Sequence, residues 1–94
     1  MSKYESIFII DTDVGEEVIK ETVEKITALI SSSAKVENVE EWGKRKLAYE
    51  VDHKNDGYFT IVTFEAEPDF PRLLENTYQI DERIIKYNII NIEK

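Results

Sequence analysis

The side chains with the clearest potential for chemistry lie in one short stretch near the middle of the chain. Lys44, Arg45 and Lys46 follow Trp42 and Gly43 and form the densest basic cluster of a 94-residue sequence whose formal net charge is −8. Lysine and arginine hold phosphate groups, and an aromatic ring can stack on a base. The stretch therefore predicts either a local nucleic-acid contact or a charged edge strand that is protected from aggregation.

Composition argues against other kinds of site. Cysteine is absent, which removes disulfides, thiolate metal sites and cysteine nucleophiles. His53 is the only histidine and falls in a predicted turn, so we predict no catalytic residue and no metal role for it. Asp11 and Asp13 begin like a calcium loop, but the later ligands are missing and helix capping explains them better. We expect no cofactor, no metal and no small-molecule substrate.

The charge balance restricts the partners. Duplex binding through phosphate contacts normally requires a basic face, so an acidic chain should touch nucleic acid only locally or together with a partner. No apolar run approaches the roughly 20 residues that cross a bilayer, and the N-terminus lacks a basic segment followed by an apolar one. We therefore expect a cytoplasmic protein without a membrane partner.

Two hydrophobic periodicities predict the elements that hold these side chains. Strands are predicted at residues 4–10, 35–51, 58–67 and 84–92. Helices are predicted at residues 15–32, with Asp13 as the cap, and after Asp69, which we expect to cap the second helix. Gly43 predicts a bulge within the second strand. Residues 55–57, with the sequence Asn-Asp-Gly, predict the turn of a long hairpin.

The order strand, helix, strand, strand, helix, strand predicts an α+β ferredoxin-like βαββαβ sandwich. Residues 1–94 should form a single domain, a four-stranded antiparallel sheet with two helices on one face. Strand alternation divides the apolar side chains between the two faces of this sheet. Those predicted under the helices are Phe8, Ile10, Val62, Phe64, Tyr87 and Ile89, and those on the opposite, open face are Ile7, Ile9, Phe59, Ile61 and Ile90.

The predicted open face is more apolar than a solvated face should be. We expect it to bind a protein partner through Ile7, Ile9, Trp42, Phe59 and Ile61. Base stacking on the sheet itself is not expected, because the glycine-aromatic signature of RNA-recognition modules is absent.

The central stretch also carries a resemblance. Residues 40–49, with the sequence Glu-Glu-Trp-Gly-Lys-Arg-Lys-Leu-Ala-Tyr, are preceded by Tyr4-Glu5 and followed by Gly57-Tyr58-Phe59. In this order they resemble the bacterial small-subunit ribosomal protein six family over nearly the whole chain. The resemblance implies a ferredoxin-like, non-catalytic protein of the ribosome. It also implies binding to the central domain of small-subunit ribosomal RNA together with small-subunit ribosomal protein eighteen.

For RNA contact we predict two groups of residues. The first comprises Lys3, Tyr4, Arg83 and Lys86, which we expect to lie together because the first and last strands are neighbours in this fold. Lysine and arginine would hold phosphates, and Tyr4 would stack or donate a hydrogen bond. The second comprises Lys44, Arg45 and Lys46, of which Arg45 should point away from the two lysines.

Two alternatives use the same fold. Acylphosphatases share the topology but need an arginine in the loop after the first strand to bind phosphate. This chain has Asp11-Thr12-Asp13 there, which repels an anion, so we do not expect this activity. The second alternative is a small-molecule-sensing or protein-interaction domain that forms a homodimer through the open sheet face. A stable homodimer in gel filtration would favour this domain, and a monomer that pairs with a basic protein would favour the ribosomal function.

Overall fold

Strands and helices follow one another in the predicted order. The computed structural model describes residues 1–51 and 54–92, so His53 lies outside the described residues. The strands are β1 (Ser2–Ile10), β2 (Lys35–Val51), β3 (Lys54–Ala66) and β4 (Ile84–Asn91), and the helices are α1 (Glu16–Ser33) and α2 (Phe70–Ile80). Over these residues, no helix is long and apolar enough to cross a membrane.

The strand order in the sheet is β2-β3-β1-β4, and every neighbouring pair is antiparallel. β1 therefore lies inside the sheet, with Phe8 opposite Thr60 on one side and Tyr87 on the other. A central strand can be covered on both faces, which explains why β1 has isoleucines on both of its faces. The α+β ferredoxin-like sandwich predicted from the sequence is confirmed.

The core lies between the sheet and the two helices. Alternation along β1 and β3 sends Phe8, Ile10, Val62 and Phe64 into it, and all four side chains are fully buried. The helices contribute apolar residues at helical spacing, namely Ile19, Val23, Ile26 and Ile30 from α1 and Phe70, Leu74 and Tyr78 from α2. Tyr87 and Ile89 pack partly buried against the same core. The predicted division of side chains between the faces is confirmed for these residues.

One polar pair is enclosed in this core. The hydroxyl oxygens of Ser6 on β1 and Tyr78 on α2 are 2.6 Å apart and form a buried hydrogen bond. Burial raises the pKa of the Tyr78 hydroxyl. Since a buried hydroxyl without a partner is costly, this bond ties α2 to the centre of the sheet.

Gly43 marks a β-bulge in β2, as predicted. The pairing of β2 with β3 shifts between Glu41 and Gly43, so that Trp42 is the extra residue. Gly43 has φ of 80°, in the left-handed region that glycine adopts most readily. The bulge therefore determines where Trp42 leaves the regular alternation of β2.

The hairpin turn predicted at residues 55–57 is wrong. These residues belong to β3, which pairs Asp56 with Lys46 and Gly57 with Arg45. Gly57 does not have a positive φ. A Cβ at this position would lie 2.2 Å from Cγ2 of Ile9 on β1, so Gly57 is required by the close approach of β1 and not by a turn.

The predicted caps also need correction. Asp13 does not cap α1, whose N-cap is Gly15; instead Asp11 accepts a 2.9 Å hydrogen bond from the Asp13 amide and caps a short 3₁₀ turn at Thr12–Val14. Asp69 is the N-cap residue of α2, but its side chain makes no capping hydrogen bond. In both cases the spacing gave the position of the helix start correctly to within a residue or two, and the actual hydrogen bonds differ.

An ion cluster joins the C-terminal end of α2 to the start of β4. Arg83 donates hydrogen bonds from Nε and Nη2 to the Asp81 carboxylate at 2.9 and 2.8 Å, and Lys25 of α1 lies 3.7 Å from the same carboxylate. Hydrogen bonding from Arg83 lowers the pKa of Asp81. The Asp81 carboxylate is thus shared by Lys25 of α1 and by Arg83, which lies between α2 and β4.

The Asp81→Asn variant should lose about 1 kcal/mol of stability at pH 7, because Arg83 loses its charged acceptor. A carboxyl group whose pKa is lowered by folding stabilises the folded state above its unfolded pKa, and this contribution disappears as the pH falls. The difference in free energy of unfolding between wild type and variant should therefore decrease below about pH 4. Urea unfolding at pH 7 and pH 3 measures it, and an equal difference at both pH values would contradict the ionic explanation.

Candidate nucleic-acid and partner interface

The open face of the sheet carries an apolar patch. The patch consists of Ile7 and Ile9 on β1 and Phe59 and Ile61 on β3, with Trp42 of β2 at its edge. Ile9 and Ile61 are buried, whereas Ile7 and Phe59 are half-buried. The residues predicted for partner binding therefore form one continuous surface, which we call the open-face patch.

Trp42 covers one side of this patch without being buried. Its ring stacks on Phe59 with 6.4 Å between the centroids and 16° between the ring planes, yet 46% of the residue is exposed. The guanidinium of Arg45 lies 5.5 Å from the Trp42 ring centroid, and Arg45 Nε donates a 3.3 Å hydrogen bond to the Trp42 carbonyl. Arg45 and Trp42 thus form a cation–π pair on the open face.

The basic cluster is divided between the two faces of β2, as predicted. Arg45 pairs with Gly57, on the side of Phe59 and Ile61, whereas Lys44 and Lys46 pair with Tyr58 and Asp56 on the other side. Lys44 lies 3.5 Å from the Asp56 carboxylate. A hydrogen bond from Thr12 and, secondarily, the charge of Lys44 lower the pKa of Asp56. Lys44 is therefore partly used in an ion pair across the hairpin, while Asp56 ties the hairpin to Thr12 after β1.

Lys54 makes a similar contact at the start of β3. Its ammonium nitrogen lies 2.6 Å from Asp13 and 3.4 Å from Asp11. The hydrogen bond to Asp13 raises the pKa of Lys54. Together with the Thr12–Asp56 bond, this pair anchors the β2–β3 hairpin to the segment that follows β1.

Lys86 meets an aromatic residue that sequence reasoning did not select. Its ammonium nitrogen lies 4.4 Å from the ring centroid of Tyr49 and donates a hydrogen bond to the Tyr49 hydroxyl. Lys86 belongs to the open face, because it pairs with Ile9. A weak signal was present in the sequence, since Tyr49 follows Arg45 by four residues in the same strand. Its partner Lys86 could not be found without the fold.

The predicted grouping of Lys3 and Tyr4 with Arg83 and Lys86 is wrong. β1 and β4 are antiparallel, so Lys3 at the start of β1 meets Ile92, while Lys86 pairs with Ile9. Six residues of strand separate Lys3 from Ile9, which corresponds to about 20 Å. The prediction correctly made the two strands neighbours but placed the wrong end of β4 beside the start of β1.

The local environments of three of these residues also differ from the expectation. Tyr4 is only 8% exposed and its ring stacks on Phe64 in the core, so it offers no ring face to a base. Lys3 forms an ion pair with Glu37 at 3.1 Å. Arg83 is held by Asp81, as described above. Of the first predicted group, Lys86 is the residue whose charge faces the open face of the sheet.

A groove of about 630 Å³ lies on the other side of the sheet, between α1 and the β2–β3 hairpin. Ile19, Val23 and Tyr58 contribute its apolar wall, and its charged lining consists of three carboxylates and two lysines, namely Glu16, Glu24, Glu41, Lys20 and Lys44. The carboxylates outnumber the lysines, so on balance the groove disfavours a phosphate group. Within residues 1–51 and 54–92, no group of acidic or histidine side chains is suited to hold a metal ion. The open face is therefore the better candidate for an RNA contact.

The chain is similar to known proteins along its whole length. Residues 3–91 match the family model of ribosomal protein S6. Small ribosomal subunit protein bS6 of Clostridium kluyveri is 43% identical over 95 residues, and that of Clostridium novyi is 40% identical over 95 residues, with both chains covered completely in each case.

A solved structure gives the same result for the fold. The crystal structure of 30S ribosomal protein S6 from Thermotoga maritima superposes with a TM-score of 0.91 at 34% sequence identity, covering 96% of this chain and 86% of that one. Family model, full-length relatives and fold agree with the motif around Trp42. The chain therefore belongs to the ribosomal protein S6 family of the small ribosomal subunit.

Proposed function

We propose that the protein binds the central domain of small-subunit ribosomal RNA together with small-subunit ribosomal protein eighteen. The observation that carries the proposal is the composition of the open face, where the open-face patch lies beside Arg45 and Lys86 in a chain with a net charge of −8. An apolar patch suits a protein partner, and local cations suit phosphate groups. The two surfaces are adjacent, so one ligand could complete the site of the other.

Membership of the family establishes the general role. The protein is a component of the small ribosomal subunit and hence of cytoplasmic ribosomes, and RNA binding is expected for this family. The family is one of ribosomal structural proteins and is not a class of enzymes. We propose that the protein acts by binding and positioning, without making or breaking a bond.

The protein partner is proposed to cover the open-face patch. Ile7, Phe59 and Trp42 supply partly exposed apolar surface, and Ile9 and Ile61 form its floor. Removing such surface from water favours association. A basic partner would also offset the negative charge of this chain, so that the pair approaches RNA although the acidic chain alone is repelled.

Lys86 and Arg45 are the residues that we propose as the main RNA contacts. Both lie on the open face, and neither forms an ion pair with a carboxylate among the described residues. Lys46 faces the opposite side of β2 and could reach phosphates only beyond the edge of the sheet. Lys3 and Lys44 form ion pairs and are secondary candidates. Arg83 is bound to Asp81, and we do not propose Tyr4 as a stacking residue because its ring is buried.

A calorimetric titration of a central-domain ribosomal RNA fragment tests the proposal. We expect weak or no binding by either protein alone, and tight binding by this protein with ribosomal protein eighteen. The affinity of the pair should fall as salt rises, because phosphate contacts release counterions. Equal binding of the RNA by ribosomal protein eighteen with and without this chain would refute a shared interface.

The Lys86→Glu variant should weaken RNA binding by the protein pair about tenfold, because a phosphate contact is replaced by a repelled carboxylate. Lys20→Glu is a matched control, since it makes the same charge change on α1, on the other side of the sheet. Filter binding measures both variants, and thermal unfolding verifies that each remains folded. Equal losses in the two variants would mean that net charge alone, and not a contact at Lys86, governs binding.

The open-face patch also supports the alternative of a homodimer, because the same apolar surface could pair with a second copy. Gel filtration of the free protein distinguishes the two. A stable homodimer that persists in the presence of ribosomal protein eighteen would favour the interaction-domain alternative.

A further inference from the structure

Tyr49 is an exposed aromatic residue on the β2 part of the hairpin, backed by the ammonium group of Lys86. We propose that Tyr49, held by Lys86, is a stacking site for an unpaired base of RNA. The inference rests on the proposed function, since it specifies which kind of RNA segment the open face receives. It concerns a residue outside both groups that the sequence suggested.

The position of Tyr49 depends on the shape of the hairpin. β2 and β4 are the two edges of the sheet, with β3 and β1 between them, so a contact between Tyr49 and Lys86 crosses the sheet. It is possible because β1 ends at Ile10 opposite Tyr58, whereas β3 starts at Lys54. The hairpin therefore extends past β1 and reaches over the open face to β4.

The close packing under this hairpin keeps it in place. Gly57 has no side chain, and the space that a Cβ would need is occupied by Cγ2 of Ile9, with Cδ1 of Ile85 3.5 Å away. Lys54 and Asp56 bind the other side of the hairpin to the segment after β1. Tyr49 is thus presented on a supported arm, and 63% of it remains exposed to solvent.

The surroundings of Tyr49 suit a nucleotide. Lys86 is close to the ring through a cation–π contact, while its remaining N–H groups are available to a phosphate oxygen. Arg45 over Trp42 is a second cation–aromatic pair on the same face. Among the described residues neither cation has a carboxylate partner, whereas Lys3, Lys25, Lys44 and Lys54 do. The exposed Tyr49 ring, which can stack on a base, therefore lies next to the positive charge of Lys86, which can bind a phosphate.

The expected ligand is a single-stranded segment and not a duplex. Bases in an A-form helix are stacked on one another and present no free face, whereas loops and bulges offer unstacked bases to aromatic side chains. Such stacking tolerates any base, because every base has a π face. The site should consequently prefer unpaired RNA over double-stranded RNA without strong sequence preference.

Three substitutions test the inference in the complex with ribosomal protein eighteen and a central-domain RNA fragment. Tyr49→Leu removes the ring but keeps an apolar side chain, and it should weaken RNA binding about tenfold. Tyr49→Phe keeps the ring and should stay within about twofold of wild type, because stacking needs no hydroxyl. Leu73→Ala, on the exposed side of α2, is the control for loss of an exposed apolar group and should have no effect.

A spectroscopic measurement tests the stacking directly in the complex with ribosomal protein eighteen, because the free acidic chain should bind RNA weakly or not at all. Trp42 is the only tryptophan, so a Trp42→Phe protein that also carries Tyr49→Trp has a single indole at position 49. Adding a single-stranded oligouridylate or oligoadenylate should quench its fluorescence by stacking. A duplex RNA of equal length should quench much less.

The outcomes separate this inference from the proposed function. Loss of affinity with Tyr49→Leu but not Tyr49→Phe, together with quenching, supports a stacking site. Unchanged RNA affinity in Tyr49→Leu overturns it while leaving the binding of RNA by the wild-type pair intact. Weakened binding to ribosomal protein eighteen in the absence of RNA would assign Tyr49 to the protein partner and also overturn it. If the wild-type pair fails to bind the fragment, the proposed function fails, and absence of quenching then rejects the site independently.

Discussion

The Gly57→Val variant should lose about 3 kcal/mol of stability, because there is no room for a side chain between β3 and β1. A Cβ on Gly57 would lie 2.2 Å from Cγ2 of Ile9, and that methyl group is attached to a branched Cβ near the backbone. It can move aside only if Ile9 changes its χ1 rotamer, which is restricted in a β-branched residue, or if the strand shifts. Urea unfolding of wild type and variant measures the loss.

Three further substitutions, Gly43→Ala, Gly57→Ala and Ile9→Leu, establish that the cause is lack of space. Gly43→Ala should cost about 1 kcal/mol through its positive φ alone, since nothing lies within 4 Å of the added Cβ. Ile9→Leu, which has no methyl group on Cβ, should recover part of the stability lost in Gly57→Ala. If Gly57→Ala is as stable as wild type, or if Ile9→Leu gives no recovery, the close approach does not limit residue 57.

Removing one partner of the Ser6–Tyr78 hydrogen bond should cause the second largest loss of stability. Ser6→Ala and Tyr78→Phe should each cost about 2 kcal/mol, because each leaves the hydroxyl of the other residue buried without a partner. The double variant should cost clearly less than the sum of the two, since it removes both polar groups together. A double-mutant cycle in urea measures the coupling.

Tyr87→Phe is the matched control for this cycle. The Tyr87 hydroxyl accepts a 3.0 Å hydrogen bond from Gln79 in an exposed position, where water can replace it. Its removal should cost less than about 0.5 kcal/mol. Strict additivity of Ser6→Ala and Tyr78→Phe would show that the two hydroxyls do not depend on each other.

Local patterns were sufficient for the elements and for the division of side chains between faces. Ile19, Val23, Ile26 and Ile30 recur at helical spacing, and all four are buried in α1. In β3, the alternation of Val62 and Phe64 with Phe59 and Ile61 gave both sheet faces correctly. Such periodicities are visible in sequence because each element must bury one of its own faces.

Turns and caps were less predictable because several backbone arrangements satisfy the same residues. Asn55-Asp56-Gly57 is a sequence typical of a turn, yet Asp56 accepts a hydrogen bond from Thr12 and Gly57 makes room for Ile9. Asp13 has the spacing of a helix cap, yet its carboxylate forms an ion pair with Lys54. In each case a contact with a distant segment prevailed over the local preference.

The sequence by itself determined the order of strands and helices, the fold class, the family and the separation of Arg45 from Lys44 and Lys46. These follow from the type and spacing of neighbouring residues. Only the tertiary structure decided that Lys3 and Lys86 lie at different ends of β1, that Tyr4 is buried, and that Tyr49 reaches Lys86. The reason is that strand direction, register and the reach of the hairpin depend on how distant segments pack, and no local pattern encodes them.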